Sequence, residues 1–202
     1  SREFRENKDF DGEIHILCDG PKTVEPTIRK ALAVGADKGI RIDGPADDAF
    51  YVAKQIANYV DNNDYGMVLM GKESIDNNGS EVPGMVASLL NLPYVSFATY
   101  LDWDGGQEAV ITREIEGGSE KIKTPFPFVL SSQKGLAEWR IPNMRGIMQA
   151  RKKPLDTVEA AEAPAFTQAE SYELPPEKGG PAYIDPDDID QLVKILEDKG
   201  VL

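Results

Sequence analysis

A polar loop bracketed by glycines separates the apolar run Met67 to Met70 from the apolar helical stretch Pro83 to Leu90. It reads Gly71-Lys72-Glu73-Ser74-Ile75-Asp76-Asn77-Asn78-Gly79-Ser80-Glu81-Val82. Strand, turn-rich loop and helix in that order is the geometry in which main-chain N–H groups and a helix N-terminus face a phosphate. Gly71 and Gly79 can take positive φ and let a ligand approach the main chain closely. Asp76, Asn77, Asn78 and Ser80 supply short polar arms for ribose or phosphate. The loop matches neither the Walker pattern nor the dinucleotide fingerprint, and Lys72 alone does not make one. The plain structural alternative is a polar loop ending in a helix cap.

The flanking sequence repeats the same alternation. Glu13 to Cys18 reads as a strand, and Asp19-Gly20-Pro21 as a turn. Thr23 reads as the N-cap of a helix that runs to Val34 and stops at Gly35. A strand follows at Gly39 to Ile42. Ala49, Val52, Ala53, Ile56, Ala57 and Val60 then form one apolar helical face. The strand Tyr94 to Thr99 completes the series. Such alternation implies a parallel sheet covered on both faces, with ligands beyond the carboxyl ends of its strands. Asp19 and Gly71, both just past strand ends, are expected to line one crevice.

After Thr99 the pattern changes. Turns at Asp104-Gly105-Gly106 and Glu116-Gly117-Gly118 frame an alternating segment, expected as an antiparallel meander on the sheet edge through Phe128 to Ser131. Ser1 to Lys8 reads as the tail of a helix. Pro154 to Pro181 is rich in Pro, Ala and Glu and reads as an extended arm. A last amphipathic helix carries Ile189, Leu192, Val193 and Leu196 on one face, to be docked on its own domain or on a partner chain. The organisation expected is therefore an α/β domain over 1–153 and an arm with helix over 154–202.

Charge narrows the partners. The 202 residues carry a net charge of -13, which repels polyphosphate backbones and argues against nucleic acid. A single nucleotide stays compatible, because local N–H dipoles can hold it within an acidic whole. No apolar run is long enough to span a bilayer, so no membrane insertion is expected. Cys18 is the only cysteine and is expected to be an inert buried thiol in a reducing compartment. With one histidine, His15, neither a zinc site nor a Ser-His-Asp triad finds support, and no catalytic residue or metal ligand is assigned. An ATP-using enzyme would place Lys72 or Ser80 on phosphates and Asp76 on a metal, but no carboxylate cluster supports it. A nucleotide-sensing module is a third reading.

Three stretches in order resemble the beta subunit of electron transfer flavoprotein. They are Thr27-Ile28-Arg29-Lys30-Ala31-Leu32-Ala33-Val34-Gly35-Ala36-Asp37, Gly71-Lys72-Glu73-Ser74-Ile75-Asp76, and the run from Ile141-Pro142-Asn143-Met144-Arg145-Gly146 to Leu155. Arg113 to Gly118 is similar to the family's hairpin. The resemblance covers nearly the whole chain and implies a three-layer, Rossmann-like fold of the adenine-nucleotide-binding type. It implies an electron-carrier subunit, not an enzyme, paired with an alpha subunit that holds most of the FAD. The beta subunit would hold AMP, or a second FAD in electron-bifurcating members. Electrons would come from flavin dehydrogenases such as acyl-CoA dehydrogenases and pass to a quinone oxidoreductase. The setting implied is the bacterial cytoplasm, or the mitochondrial matrix in a eukaryote.

By the same resemblance the nucleotide contacts fall on Gly71 through Val82 and on Asp19. A carboxylate repels phosphate, so Asp19 is expected to contribute through its backbone. Many AMP-binding members carry a hydroxyl residue where Val82 stands. The segment over about 136–153 is similar to the family's recognition loop, with Ile141 as the apolar anchor for a partner dehydrogenase and Pro142, Asn143, Met144 and Arg145 beside it. Arg145, Arg151, Lys152 and Lys153 would steer docking onto an acidic surface. The family's opening strand and long loop find no counterpart in Ser1 to Asp11. The 202-residue chain alone is therefore expected to be unstable or to need that segment.

Overall fold

The computed structural model of the protein describes residues 12–138, 140–181 and 183–201. The segment Ser1 to Lys8 lies outside them. By its internal contacts the chain forms two units, residues 1–168 and 169–202.

The first unit is α/β. Its strands are β1 (His15–Asp19), β2 (Lys38–Asp43), β3 (Met67–Gly71), β4 (Tyr94–Asp102), β5 (Glu108–Ile115), β6 (Gly118–Pro125), β7 (Phe128–Ser132) and β8 (Leu155–Glu159). Its helices are α1 (Glu25–Ala33), α2 (Ala49–Asp61), α3 (Val82–Leu90) and α4 (Met144–Ala150). The strands form two sheets. One has the order β1-β2-β8, all parallel. The other has the order β3-β7-β4-β5-β6, parallel through β3, β7 and β4 and antiparallel beyond. Helix α2 bridges them, since it touches β1 and also packs against α3. There Ala53, Val86, Ala87 and Val129 share a core cluster.

Three local expectations change. Thr23 does not cap a helix: Lys22–Val24 is a 3-10 turn, and α1 begins at Glu25 without a side-chain cap. The strand β7 is not an antiparallel edge strand. It lies between β3 and β4, parallel to both. Phe128, Val129, Leu130 and Ser131 are all at most 1% exposed, and a strand buried on both faces reads as an unbroken apolar run with no alternation to mark it. Ser131 is the one polar member of that set. Its hydroxyl oxygen accepts from the Phe97 amide at 3.2 Å and from Tyr94 Oη at 3.0 Å, where Phe97 takes φ 54° and β4 slips register. Finally, the segment expected as an extended arm from Pro154 begins within the domain: Leu155–Glu159 pairs beside β2 as a strand of the first sheet.

Residues 161–167 are held against α2 by two buried polar side chains. Gln55 donates to Ala161 O at 2.7 Å and accepts from Ala161 N at 2.8 Å, as a neighbouring strand would. Asp48, the N-cap of α2, accepts from Tyr51 N, Phe166 N, Thr167 N and Thr167 Oγ1. Phe166 packs edge-on to Phe50, with centroids 5.0 Å apart.

In the second unit α5 (Ile189–Asp198) is capped by Asp188, whose carboxylate accepts from Gln191 N at 3.0 Å. Ile189, Leu192 and Val193 are exposed on it.

Candidate nucleotide site and docking face

The loop from Gly71 to Val82 stands at the carboxyl end of β3 and leads into α3. Gly71 is still in the ladder, opposite Ser132, and the Lys72 amide donates to Ser132 O at 3.2 Å. The loop then turns through Ser74 to Asn78, whose amide donates to Ser74 O at 3.0 Å. The left-handed positions are Asn78 (φ 49°) and Ser80 (φ 54°), not Gly71 or Gly79. Asparagine tolerates that region because its short amide can bond locally. Strand pairing keeps Gly71 extended.

Glu73 organises the loop from inside. Its carboxylate accepts from Lys72 Nζ at 2.9 Å and from Ser80 Oγ at 3.0 Å. Those two donors hold its carboxyl below the usual glutamate range. Asp76, Asn77 and Asn78 are exposed, and Ile75 is 92% exposed. Glu81 leads into α3 without capping it by a side chain. Among the described residues the amides of Gly79, Ser80, Glu81 and Val82 make no hydrogen bond to protein. Free N–H groups at the start of a helix suit a phosphate. Lys72 and Ser80 are already engaged with Glu73.

Asp19 lies at the end of β1 in the other sheet, so it and the loop belong to different sheets. Both carboxylate oxygens are buried, and neither has a hydrogen-bond partner. They face Gly44 and Tyr51: a Cβ built on Gly44 would lie 2.4 Å from Asp19 Oδ1 and 3.0 Å from Tyr51 Oη. Burial pushes the Asp19 carboxyl up to about 6. Two orphaned acceptors do not suit a phosphate. They do suit a donor such as an exocyclic amine or a ribose hydroxyl. Gly44 and Tyr51 carry no sequence motif and become visible only through the fold. Cys18 is half-buried, and burial raises its thiol. The ring nitrogens of His15 lie 2.7 Å from Tyr65 Oη and 2.8 Å from Glu13 Oε2.

The segment from Ile141 forms a second surface. Ile141 is 77% exposed, and Met144 and Met148 share an exposed face of α4. Asn143 caps α4 by accepting from Gly146 N at 2.8 Å. Helix α4 rests on α1 closely enough that a Cβ on Gly146 would come within 2.4 Å of Ala33 O. The expected basic steering cluster divides. Arg145, Arg151 and Lys152 are exposed, but Lys153 caps α1, donating to Leu32 O at 3.0 Å and Ala36 O at 2.5 Å. Arg29 donates from α1 to Ala150 O at 2.7 Å and Lys153 O at 2.6 Å. Lysine at a helix end reads from sequence as a free charge, because the carbonyls it satisfies lie over 110 residues away.

Comparison with known proteins places the chain. The electron transfer flavoprotein domain matches residues 1–163. The electron transfer flavoprotein subunit beta of Syntrophomonas wolfei subsp. wolfei is 37% identical over 167 residues, 82% of this chain and 66% of the relative. That of Bacillus subtilis is 34% identical over 152 residues, 73% of this chain and 59% of the relative. That of Methylophilus methylotrophus is 31% identical over 209 residues, covering 96% of this chain and 79% of the relative. The chain thus spans less than two thirds of the length of the first two. No helix among the described residues is long and apolar enough to cross a membrane. With a family match over four fifths of its length and relatives that share one name, this chain belongs to the electron transfer flavoprotein family, among its beta subunits.

Proposed function

We propose that this chain holds an adenine nucleotide, AMP, in a Rossmann-like crevice. In that role it buttresses an alpha partner whose FAD carries electrons from flavin dehydrogenases, such as acyl-CoA dehydrogenases, to a quinone oxidoreductase. The single observation that carries this reading is the row of unpartnered amides from Gly79 to Val82 at the start of α3. They would hold the phosphate, with Asp76, Asn77 and Asn78 beside the ribose and Asp19 facing a donor of the nucleoside. FAD on the alpha chain supplies the redox chemistry. The residues here position and shield and move no proton. Ile141 would insert into a pocket on the dehydrogenase. The setting is a reducing compartment, bacterial cytoplasm or mitochondrial matrix.

A second FAD in place of AMP is favoured by one feature, the apolar Val82-Pro83-Gly84 entry to α3. Co-expression with the alpha chain, denaturation and chromatography of the released cofactors separate the two readings. One FAD plus AMP per pair supports the carrier, and two FAD without AMP supports bifurcation. A pair free of any adenine compound beyond the alpha-bound FAD refutes the site.

A further inference from the structure

Helices α1 and α4 enclose an open groove of about 960 Å³. Its floor is apolar, built from Pro26, Ala33, Ile147 and Ala150. Its rim is cationic: Lys22, Lys30 and Arg151 are exposed around it. Glu25 is the only carboxylate among the described lining residues, and Arg41 Nε donates to it at 3.2 Å. Such a concentration of positive charge runs against a chain of net charge -13. A solvated helix face would need no apolar floor, and a small anion would gain nothing from one.

The groove is also preformed. Arg29 and Lys153 tie α1 to α4 through four hydrogen bonds to main-chain carbonyls. An occupant would therefore pay little for ordering the walls. The groove adjoins the exposed apolar face of Ile141, Met144 and Met148, so one surface presents both a projection and a depression.

We propose that this groove receives an apolar side chain flanked by carboxylates on the flavin dehydrogenase. Docking is then reciprocal: Ile141 enters the partner, and a residue of the partner enters between α1 and α4. The acidic flanks answer Lys22, Lys30 and Arg151, and the apolar tip answers Ala33 and Ile147. The inference rests on the docking role given to the Ile141 segment.

The test uses the complete chain co-expressed with its alpha partner, and an acyl-CoA dehydrogenase of the same organism reduced by its acyl-CoA. Lys22→Glu with Lys30→Glu should raise the KM for the dehydrogenase about tenfold, leave kcat within about twofold, and lose most of that effect when added salt shortens the screening length. A photo-crosslinking residue at position 30 should label a dehydrogenase segment in which an apolar residue sits among Asp or Glu. If the charge reversal prevents assembly, Lys22→Ala with Lys30→Ala replaces it, with a smaller rise expected in the same direction. An unchanged KM in the rim variants, while Ile141→Ala raises KM, overturns the groove and leaves the docking role standing. If neither change affects KM, the docking role fails and the groove with it. Crosslinks to the alpha chain or to a second copy also overturn the proposal.

Discussion

Asp48 ties the start of α2 to the main chain at Phe166 and Thr167, and its removal should be legible in hydrogen exchange. The residue is 5% exposed, and its carboxylate accepts from Tyr51 N (2.7 Å), Phe166 N (3.1 Å), Thr167 N (2.9 Å) and Thr167 Oγ1 (2.7 Å). Thr167 first, and then the Tyr51 amide, hold the carboxyl down at about 2. Lowering from 3.8 to about 2 is worth roughly 2 kcal/mol once solvent screening is allowed for. Counting hydrogen bonds to a charged acceptor, non-additive because three share one oxygen, gives about 3 kcal/mol. The sign is that of a depressed acid. The stabilisation is complete above the unfolded carboxyl value and is lost as pH falls through about 2. Asp48→Ala should therefore speed exchange at the Phe166 and Thr167 amides about 100-fold, since 1.4 kcal/mol is about tenfold. Asp48→Asn keeps an oxygen for Tyr51 N but loses the charge, and should fall near tenfold. Measured by exchange and mass spectrometry on the assembled pair between pH 5 and 8, the wild-type protection should show no titration. Exchange within about threefold of wild type in Asp48→Ala would refute the clasp.

Asp19→Asn should stabilise the ligand-free protein at pH 7 by about 1 kcal/mol, after discounting for its partial exposure, and should flatten thermal stability between pH 4 and 6. That direction follows from a carboxyl raised to about 6, whose contribution is full below its unfolded value and lost as pH rises through 6. An unaltered pH profile of Tm counts against it. Asp76→Ala with Asn77→Ala should lower AMP retained per purified pair several-fold, read by chromatography after denaturation; full AMP content would remove the loop assignment. Gly146→Ala sets a Cβ against Ala33 O, and should cost about 1–3 kcal/mol in a urea melt of the pair while lowering dehydrogenase turnover. Equal stability would show that α4 can move off α1 freely.

Much of the fold was legible because helix and strand periodicities are local. The apolar face of α2, the strand–loop–helix from Met67 to Leu90 and the two glycine turns of the meander all follow from residues within a few positions of one another. The loop's general polarity was legible too. Its left-handed residues were not, since the pairing of Gly71 with Ser132 decides where the chain can turn. Nor was the placement of β7, because a strand buried on both faces carries no alternation to distinguish an edge from a centre.

The local alternation of strands and helices, the polar loop and the acidic balance belong to the sequence alone, because each depends on neighbours in the chain or on a sum. The division of the parallel strands into two sheets, the orphaned carboxylate of Asp19 beside Gly44 and Tyr51, and the use of Lys153 as a helix cap were decided by tertiary packing. A polar group's energy depends on who meets it, and its partners here lie tens to more than a hundred residues away, beyond the reach of any local pattern.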